Sequence, residues 1–174
     1  MKLVLYECFW ANETQTSAFK LYTDKTNGFS IKYPDNWTIR VPDSTEKAKL
    51  FIKTPSEGDD DEFIENINVM VTKLSSTIID IANIQTTLKK TLAEKLKNYQ
   101  LVKDEIFEIN DNDAYQMEYT CTKEMDGKEK NLFTCQRLIF IDNKLITLTY
   151  ISVANSSKQF YKDALSIFET MEVF

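Results

Sequence analysis

Hydrophobic and polar residues alternate in the stretch from Asn27 to Val41, which reads NGFSIKYPDNWTIRV. In its first half every second side chain is apolar, at Phe29, Ile31 and Tyr33. Pro34 ends this segment because it has no backbone N–H, and Tyr33-Pro34-Asp35-Asn36 suits a type I turn with proline at its second position. The second half repeats the alternation, at Trp37, Ile39 and Val41. The stretch therefore predicts a hairpin of two short strands whose aromatic side chains lie in the core.

The two-residue period of strands also occurs in segments that precede and follow one helical segment in the sequence. Before it, the pattern predicts strands at 17–23, 48–54 and 66–74. After it, strands are predicted at 101–109, 114–122, 132–142 and 144–153. These last four segments are separated by Asn110-Asp111-Asn112, Asp126-Gly127 and Asp142-Asn143. Because such short turn sequences favour hairpins, the pattern predicts an antiparallel meander of four strands.

Between residues 80 and 99 the apolar spacing changes to three and four, which is typical of one buried helix face. The apolar stripe consists of Ile81, Ile84, Leu88, Leu92, Leu96 and Tyr99. Asp80 is the expected N-cap, and we expect Ile84, Leu88 and Leu92 to pack on the meander. A second helix is predicted from Ser156 or Ser157 to about Glu169, with an inner stripe of Tyr161, Leu165 and Phe168.

The last two strands of the meander are apolar on both sides, so both faces of the sheet have to be covered. The predicted fold class is α+β, an antiparallel sheet covered on both faces by helices or by the N-terminal hairpin. A chain of 174 residues fits one domain, which we place at residues 17–174. Residues 1–16 are expected to be a leader or a partly ordered segment. We expect no complete signal peptide, because Glu7 interrupts the apolar run. We also expect no lipidation site, because Leu5-Tyr6-Glu7 lacks the small residues that should precede Cys8.

Composition excludes several function classes. The formal net charge of −6 disfavours binding to nucleic acid and to anionic lipid, which both need a basic surface. The chain has no histidine, which removes Ser-His-Asp and Cys-His catalysis and histidine-ligated zinc. Its three glycines leave no glycine-rich phosphate loop, and no segment is apolar enough for a transmembrane helix. We therefore expect no enzyme activity, no catalytic residue, no metal site and no cofactor.

Three groups of charged residues are candidate sites. The alternative interpretation of each is an ordinary solvated surface. One could supply oxygen ligands to calcium but lacks the spacing of a calcium-binding loop: Asp59, Asp60, Asp61, Glu62 and Glu65. A second could include a catalytic carboxylate pair, although most members occupy polar-face or turn positions: Glu105, Glu108, Asp111, Asp113 and Glu118. The third could contact an acidic partner: Lys89, Lys90 and Lys97. In each case the pattern favours an ordinary solvated surface.

Cys121 and Cys135 face each other across the turn at Asp126-Gly127. A two-residue turn pairs Cys121 with Leu132 and Cys135 with Glu118, which places the two sulfurs on opposite faces. A three-residue loop with a glycine bulge places them on one face but too far apart for a disulfide. Only a loop that pairs Asp126 with Lys130 would bring the cysteines opposite each other, and it would not use the Asp-Gly turn signal. We therefore expect reduced, buried thiols. Three cysteines without a CxxC motif also predict no structural zinc site.

The string Gly28-Phe29-Ser30-Ile31-Lys32-Tyr33-Pro34, followed by Trp37, resembles the opening signature of the PsbP-like family. The order of elements over residues 17 to 172 is similar too, including the acidic loop that leads into Asn66-Ile67-Asn68-Val69. The family is named for an extrinsic subunit of the oxygen-evolving photosystem, and its relatives include bacterial envelope lipoproteins and Ran-binding Mog proteins.

The resemblance implies a PsbP-like α/β/α sandwich with a non-enzymatic accessory or protein-interaction role, and hence a protein partner. It also implies a bacterial cell-envelope or extracellular location, whereas the chain as written, without a complete signal peptide, indicates the cytoplasm. The alternative function is a small-molecule or metal-ion binding protein that uses a pocket between the sheet and a helix.

Overall fold

The computed structural model describes residues 18–75, 79–154 and 158–174. Within these ranges the chain forms two helices and two antiparallel sheets. The elements are β1 (Phe19–Asp24), β2 (Phe29–Pro34), β3 (Thr38–Arg40), β4 (Ala48–Lys53), β5 (Asn66–Lys73), α1 (Ile81–Lys95), β6 (Lys97–Ile109), β7 (Asn112–Met125), β8 (Lys128–Ile141), β9 (Lys144–Val153), α2 (Lys158–Phe168) and β10 (Glu172–Val173). The larger sheet has the strand order β3-β4-β5-β9-β8-β7-β6, and the smaller has the order β1-β2-β10.

The predicted hairpin across Pro34 is wrong, although both of its strands form. β2 lies between β1 and β10 in the smaller sheet, whereas β3 pairs with β4 in the larger sheet. The turn lies one residue later than the predicted turn from Tyr33 to Asn36, because the Trp37 N–H donates to the Pro34 carbonyl at 3.0 Å. Because β1 and β10 occupy both backbone edges of β2, the turn passes the chain from one sheet to the other.

The predicted four-strand meander is confirmed, since β6, β7, β8 and β9 pair in sequence order. Two-residue turns join the strands, and φ is positive at Asn110, Asp111, Asp126 and Gly127. Positive φ at both central residues is the geometry of a type I′ turn, which Asn, Asp and Gly adopt most easily.

The second of these turns decides the register of the two cysteines. Met125 pairs with Lys128, so that Cys121 lies opposite Leu132 and Cys135 opposite Glu118. The two-residue turn is therefore the correct alternative. Cys121 and Cys135 are buried free thiols, and burial raises the pKa of Cys135 to about 12.

Two apolar clusters lie on opposite faces of the larger sheet, because side chains alternate along its strands. The α2-side cluster joins the sheet to β2 and α2, and includes Phe29, Ile31, Ile67, Cys135, Ile146, Leu148, Tyr150 and Phe168. The α1-side cluster includes Tyr115, Met117, Cys121, Leu132, Leu138 and Phe140. The molecule is thus an α+β protein with antiparallel sheets. The smaller sheet and α2 both pack on the same side of the larger sheet.

Helix α1 begins and packs as predicted but ends earlier. Asp80 is its N-cap, with Oδ1 accepting from the Asn83 N–H at 3.0 Å. The predicted contacts Ile84, Leu88 and Leu92 pack against the α1-side cluster. The helix ends at Lys95. Asn98, the second residue of β6, has a positive φ of 53°. Tyr99 therefore lies on β6, although its ring still packs against the same cluster.

Helix α2 carries the predicted inner stripe, since Tyr161, Leu165 and Phe168 all pack in the α2-side cluster. The proposed caps Ser156 and Ser157 lie outside the described residues, as do Cys8 and the segment 1–16. Neither α1 nor α2, the two helices of the described ranges, has the length and apolar composition to cross a membrane.

Asp104 on β6 connects α1 to the sheet. Its Oδ2 accepts from Lys89 Nζ at 2.8 Å, from Gln85 Nε2 at 2.7 Å and from the Tyr115 hydroxyl at 3.1 Å. The hydrogen bond from Lys89 is the main reason that the pKa of Asp104 is lowered. These three donors fix the edge strand against the helix.

Replacement of Leu88 tests the packing of α1. Leu88→Asp should lower the free energy of unfolding by about 2–3 kcal/mol, because it removes apolar contacts and places a charge against the α1-side cluster. Urea denaturation measures the change. Thr87→Asp, on the exposed side of the same helix, is the matched control and should change it by less than about 0.5 kcal/mol. Near-wild-type stability for Leu88→Asp would contradict the packing of α1.

Replacement of Asp104 tests its contacts through their pH dependence. A carboxyl group whose pKa is lower in the folded state stabilises the fold above its unfolded pKa, and this contribution is lost as the pH falls through the folded pKa. Asp104→Asn should therefore cost about 1 kcal/mol at neutral pH, and the difference from the wild type should shrink below about pH 4. Asp113→Asn, at an exposed position of β7, is the control. A difference that stays constant down to acidic pH would show that the Asp104 carboxylate is not held by these donors.

Candidate functional site

The acidic loop at 57–65 borders a cavity of about 800 Å³, but its carboxylates do not converge. Asp61 accepts from the backbone N–H groups of Glu57 at 3.1 Å and Phe63 at 3.0 Å, and these bonds lower its pKa. Glu62 pairs with Lys128 at 3.2 Å and with Lys130 at 3.4 Å. Glu65 is buried, unlike the loop residues Asp59 and Asp60. In the part of the chain that the structure describes, no three His, Cys, Asp or Glu side chains are placed to hold a metal ion.

The carboxylates between residues 105 and 118 are also distributed over separate places. Glu105 pairs with Lys103 at 3.0 Å, and Glu118 accepts from the Tyr161 hydroxyl at 2.7 Å. Asp111 lies in the turn between β6 and β7, and Asp113 is exposed on β7. Glu105 and Glu108 line one cavity, and Asp111 and Asp113 line another.

The three lysines that could contact an acidic partner, Lys89, Lys90 and Lys97, do not form one free positive patch. Lys89 is held by Asp104, and Lys97 pairs with Glu129 across the sheet. Lys90 is exposed on α1. Two of the three charges are therefore already paired with carboxylates within the protein.

Strand β6 forms the outer edge of the larger sheet and is 13 residues long. One of its backbone edges pairs with β7, and no strand of the described ranges pairs with the other. The apolar side chains of Leu101, Val102 and Ile106 are 39%, 57% and 43% exposed. Irregularities at Lys97–Gln100 and Leu101–Lys103 interrupt the ladder, so the regular part runs from Lys103 to Ile109. Such an edge is able to accept a further strand.

Arg137 is buried beside this edge and is only 4% exposed. It shares a cross-strand row with Gln116 on β7 and Glu105 on β6. Its Nε donates to Gln116 Oε1 at 2.8 Å, and its Nη2 to Glu169 Oε1 at 2.7 Å. The guanidinium lies 5.3 Å and 5.4 Å from the ring centroids of Phe107 and Phe168, which suits cation–π contact.

The second terminal nitrogen of Arg137, Nη1, is buried and has no hydrogen-bond partner among the described residues. A buried charged donor without an acceptor is unfavourable, because it has lost water without gaining a bond. The other contacts of Arg137 hold the guanidinium in place nonetheless. Arg137 therefore keeps unused hydrogen-bonding capacity at the edge of the sheet.

A cavity of about 520 Å³ lies beside Arg137, between β6 and the end of α2. Its wall is formed by Glu105, Phe107, Glu108, Ile109, Asn110, Arg137 and Glu169. Three carboxylates and one guanidinium give this wall a net negative charge. The wall offers sites for a cation and for a hydrogen-bond acceptor, and it carries no hydroxyl or thiol nucleophile.

Sequence reasoning missed Arg137. The available signal was its position as the one charged residue in the stretch LFTCQRLIFI, from Leu132 to Ile141. A charge inside a strand that is apolar on both sides is rarely buried without partners. Its partners come from other elements, β7 and the end of α2, and the sequence alone did not identify them.

Several solved structures share this fold. The solution structure of cyanobacterial PsbP (CyanoP) from Synechocystis sp. PCC 6803 aligns with a TM-score of 0.64 and 16% identity over 98% of this chain and 99% of that chain. LpqN of Mycobacterium tuberculosis, described as involved in cell envelope biogenesis, aligns with a TM-score of 0.63 and 15% identity over 90% of each chain. The Saccharomyces cerevisiae Ran-binding protein Mog1p aligns with a TM-score of 0.57 and 10% identity over 91% of this chain and 96% of that chain. At these identities the likeness shows a shared fold.

Sequence comparison identifies the family more directly. A search of curated protein sequences finds no match to this chain. The sequence profile of the PsbP family, in contrast, matches residues 17–172, the same span over which the signature and the order of elements resemble that family. The predicted resemblance is therefore confirmed, and the chain belongs to the PsbP family.

Proposed function

We propose that this protein is a non-catalytic interaction domain that binds another protein along the open edge of β6. The observation that supports this most strongly is the edge itself, which has no partner strand within the described residues and carries the exposed side chains of Leu101, Val102 and Ile106. An added strand would satisfy the backbone groups, and its side chains would cover the apolar residues.

Features of β6 limit where such a strand would bind. The irregularities near Leu101 change the direction of backbone groups in the first half of the strand, and irregularities of this kind protect sheet edges from indiscriminate pairing. The stretch from Lys103 to Ile109 pairs with β7 residue by residue and is held to α1 by Asp104. This regular, fixed stretch is the proposed docking segment.

The family and its relatives support the same class of function. Mog1p is a Ran-binding protein, and LpqN is involved in cell envelope biogenesis. We extend the proposal to a protein partner at a bacterial cell envelope. We also propose that the fold is an α/β/α sandwich in which the helices cover both faces of the sheet. This proposal is supported by the packing of α1 and α2 against different apolar clusters.

A second candidate function is the binding of a small molecule between the sheet and a helix. The cavity of about 520 Å³ beside Arg137 favours it, because no residue that the structure describes supplies an acceptor to Nη1. Native mass spectrometry of freshly purified protein distinguishes the two functions. A retained ligand of defined mass supports the small-molecule function, and the bare chain mass supports the interaction domain.

Site-specific photo-cross-linking tests the proposed docking edge. A photoreactive residue in place of Val102 should give a discrete adduct with a partner protein in cells that naturally express the chain. Ile106→Lys in the same protein should reduce this adduct about tenfold, because a charge on an open edge opposes strand pairing. The same photoreactive residue in place of Lys90, exposed on α1, is the positional control.

The fold of the Ile106→Lys variant is checked by its thermal unfolding, which should match that of the wild type. Equal adducts from positions 102 and 90, or an adduct that Ile106→Lys leaves unchanged, would refute β6 as the docking edge.

A further inference from the structure

We propose that the segment bound at β6 is basic, with a Lys or Arg side chain that enters the cavity beside Arg137 and a carbonyl oxygen that accepts from the Arg137 guanidinium. This inference rests on the proposed function, because it specifies the chemistry of the partner at the same edge. It is carried by two independent observations, the charge of the cavity wall and the unused donor of Arg137.

The charge of the cavity wall selects a cation. Glu105, Glu108 and Glu169 are all exposed, and Lys103 and Arg137 neutralise only two of these three carboxylates. The whole chain has a formal net charge of −6, so its long-range field also attracts positive partners and repels a second copy of the chain. An acidic segment would meet three carboxylates at this position.

The unused donor of Arg137 calls for an acceptor that the described residues do not supply. The protein supplies acceptors to Nε and Nη2, from Gln116 and Glu169, but none of the described residues supplies one to Nη1. A main-chain carbonyl suits this position better than a carboxylate, since it accepts a hydrogen bond without adding negative charge near the three glutamates. An extended basic segment supplies both a carbonyl and a cation.

Glu169 provides the route by which the ligand reaches the guanidinium. Its side chain is 66% exposed, whereas that of Arg137 is 5% exposed, so Glu169 is the part of the pair that is free to move. When Glu169 rotates away, the terminal edge of the guanidinium opens towards the cavity, and a carbonyl accepts there from both Nη1 and Nη2. The released carboxylate then pairs with the incoming cation. This exchange conserves the number of ion pairs, and the buried guanidinium is then stabilised by Gln116, the two aromatic rings and the ligand carbonyl.

The stacking of Arg137 makes the exchange possible without loss of the fold. Phe107 from β6 and Phe168 from α2 contact the guanidinium, and Gln116 holds Nε. Arg137 therefore keeps its position when Glu169 leaves. The same contacts connect β6 to the end of α2, which places the docking edge and the cavity next to each other.

Titration of the isotope-labelled full chain with blocked peptides tests the proposal by NMR. The probe is a peptide of alternating lysine and valine, and the comparison peptide alternates glutamate and valine. The lysine peptide should shift the backbone amides from Lys103 to Asn110 and the Nε–H resonance of Arg137, and it should bind at least about tenfold more tightly than the glutamate peptide.

Removal of two carboxylates tests the charge selection. The double variant Glu105→Gln with Glu108→Gln should weaken binding of the lysine peptide about tenfold. The matched control is Glu94→Gln with Glu124→Gln, which removes the same charge from exposed positions outside the cavity and should change binding by less than about twofold. An equal loss in both double variants would show only unspecific attraction and would overturn the proposal.

The remaining outcomes separate this proposal from the docking edge. If both peptides shift the β6 amides equally, β6 is a docking edge but its preference for a basic segment is wrong. If neither peptide shifts them, the proposal is overturned, and the cross-linking experiment decides whether β6 binds a partner of other chemistry. If the β6 resonances of the free protein change with its own concentration, the occupant is a second copy, which also overturns the proposal.

Discussion

The burial of β8 on both faces is the constraint on which the rest of the structure depends. Leu132, Leu138 and Phe140 point to one side of the strand, and Phe133, Cys135 and Ile139 point to the other. A strand of this kind is stable only in the interior of a sheet with cover above and below. Helix α1 contributes to the cover on one side, and β2 with α2 contributes to it on the other.

The same constraint explains why the exposed features gather at β6. Burial is greatest along β8 and β9, and it is least along β6, the outer strand of the larger sheet. There Leu101, Val102 and Ile106 stay exposed, and the backbone edge has no partner strand in the described ranges. Asp104 holds this strand to α1 through Lys89 and Gln85, so the edge is open and yet fixed. A fixed open edge needs little reorganisation to bind a strand, which lowers the entropic cost of binding.

Arg137 lies where the covered and the uncovered parts of the sheet meet. On one side the guanidinium is buried against Phe168 of α2, and on the other it lies under Phe107 of the edge strand. This position provides a charged donor to a cavity whose other charged residues are all carboxylates. Structural and recognition roles are therefore combined in one side chain.

The sequence predicted those parts of the fold that local chemistry determines. Asp126-Gly127 specified its turn and, through it, the register of Cys121 and Cys135. Asp80 and the apolar stripe specified the start of α1 and the side that packs. The helix was predicted too long because Tyr99 on β6 continues the helical spacing by coincidence.

The failures concern contacts between residues that are distant in the sequence. The hairpin across Pro34 was wrong because β10, at the other end of the chain, occupies an edge of β2. The candidate carboxylates Glu105 and Glu108 were named correctly as exposed residues, but their position beside Arg137 and Glu169 depends on the packing of α2 against the sheet. No local pattern encodes that packing.

Amide hydrogen exchange in the unbound protein tests the central claim, that β6 is a fixed strand with one open edge. The account predicts an alternation along the regular stretch from Lys103 to Ile109: amides that bond to β7 exchange slowly, and the amides between them exchange at rates close to those of exposed backbone. Amides of β8, with partners on both sides, should all be protected. Uniform protection along β6 would show that its outer edge is covered, and uniform fast exchange would show that the strand is not fixed; either result would contradict the account.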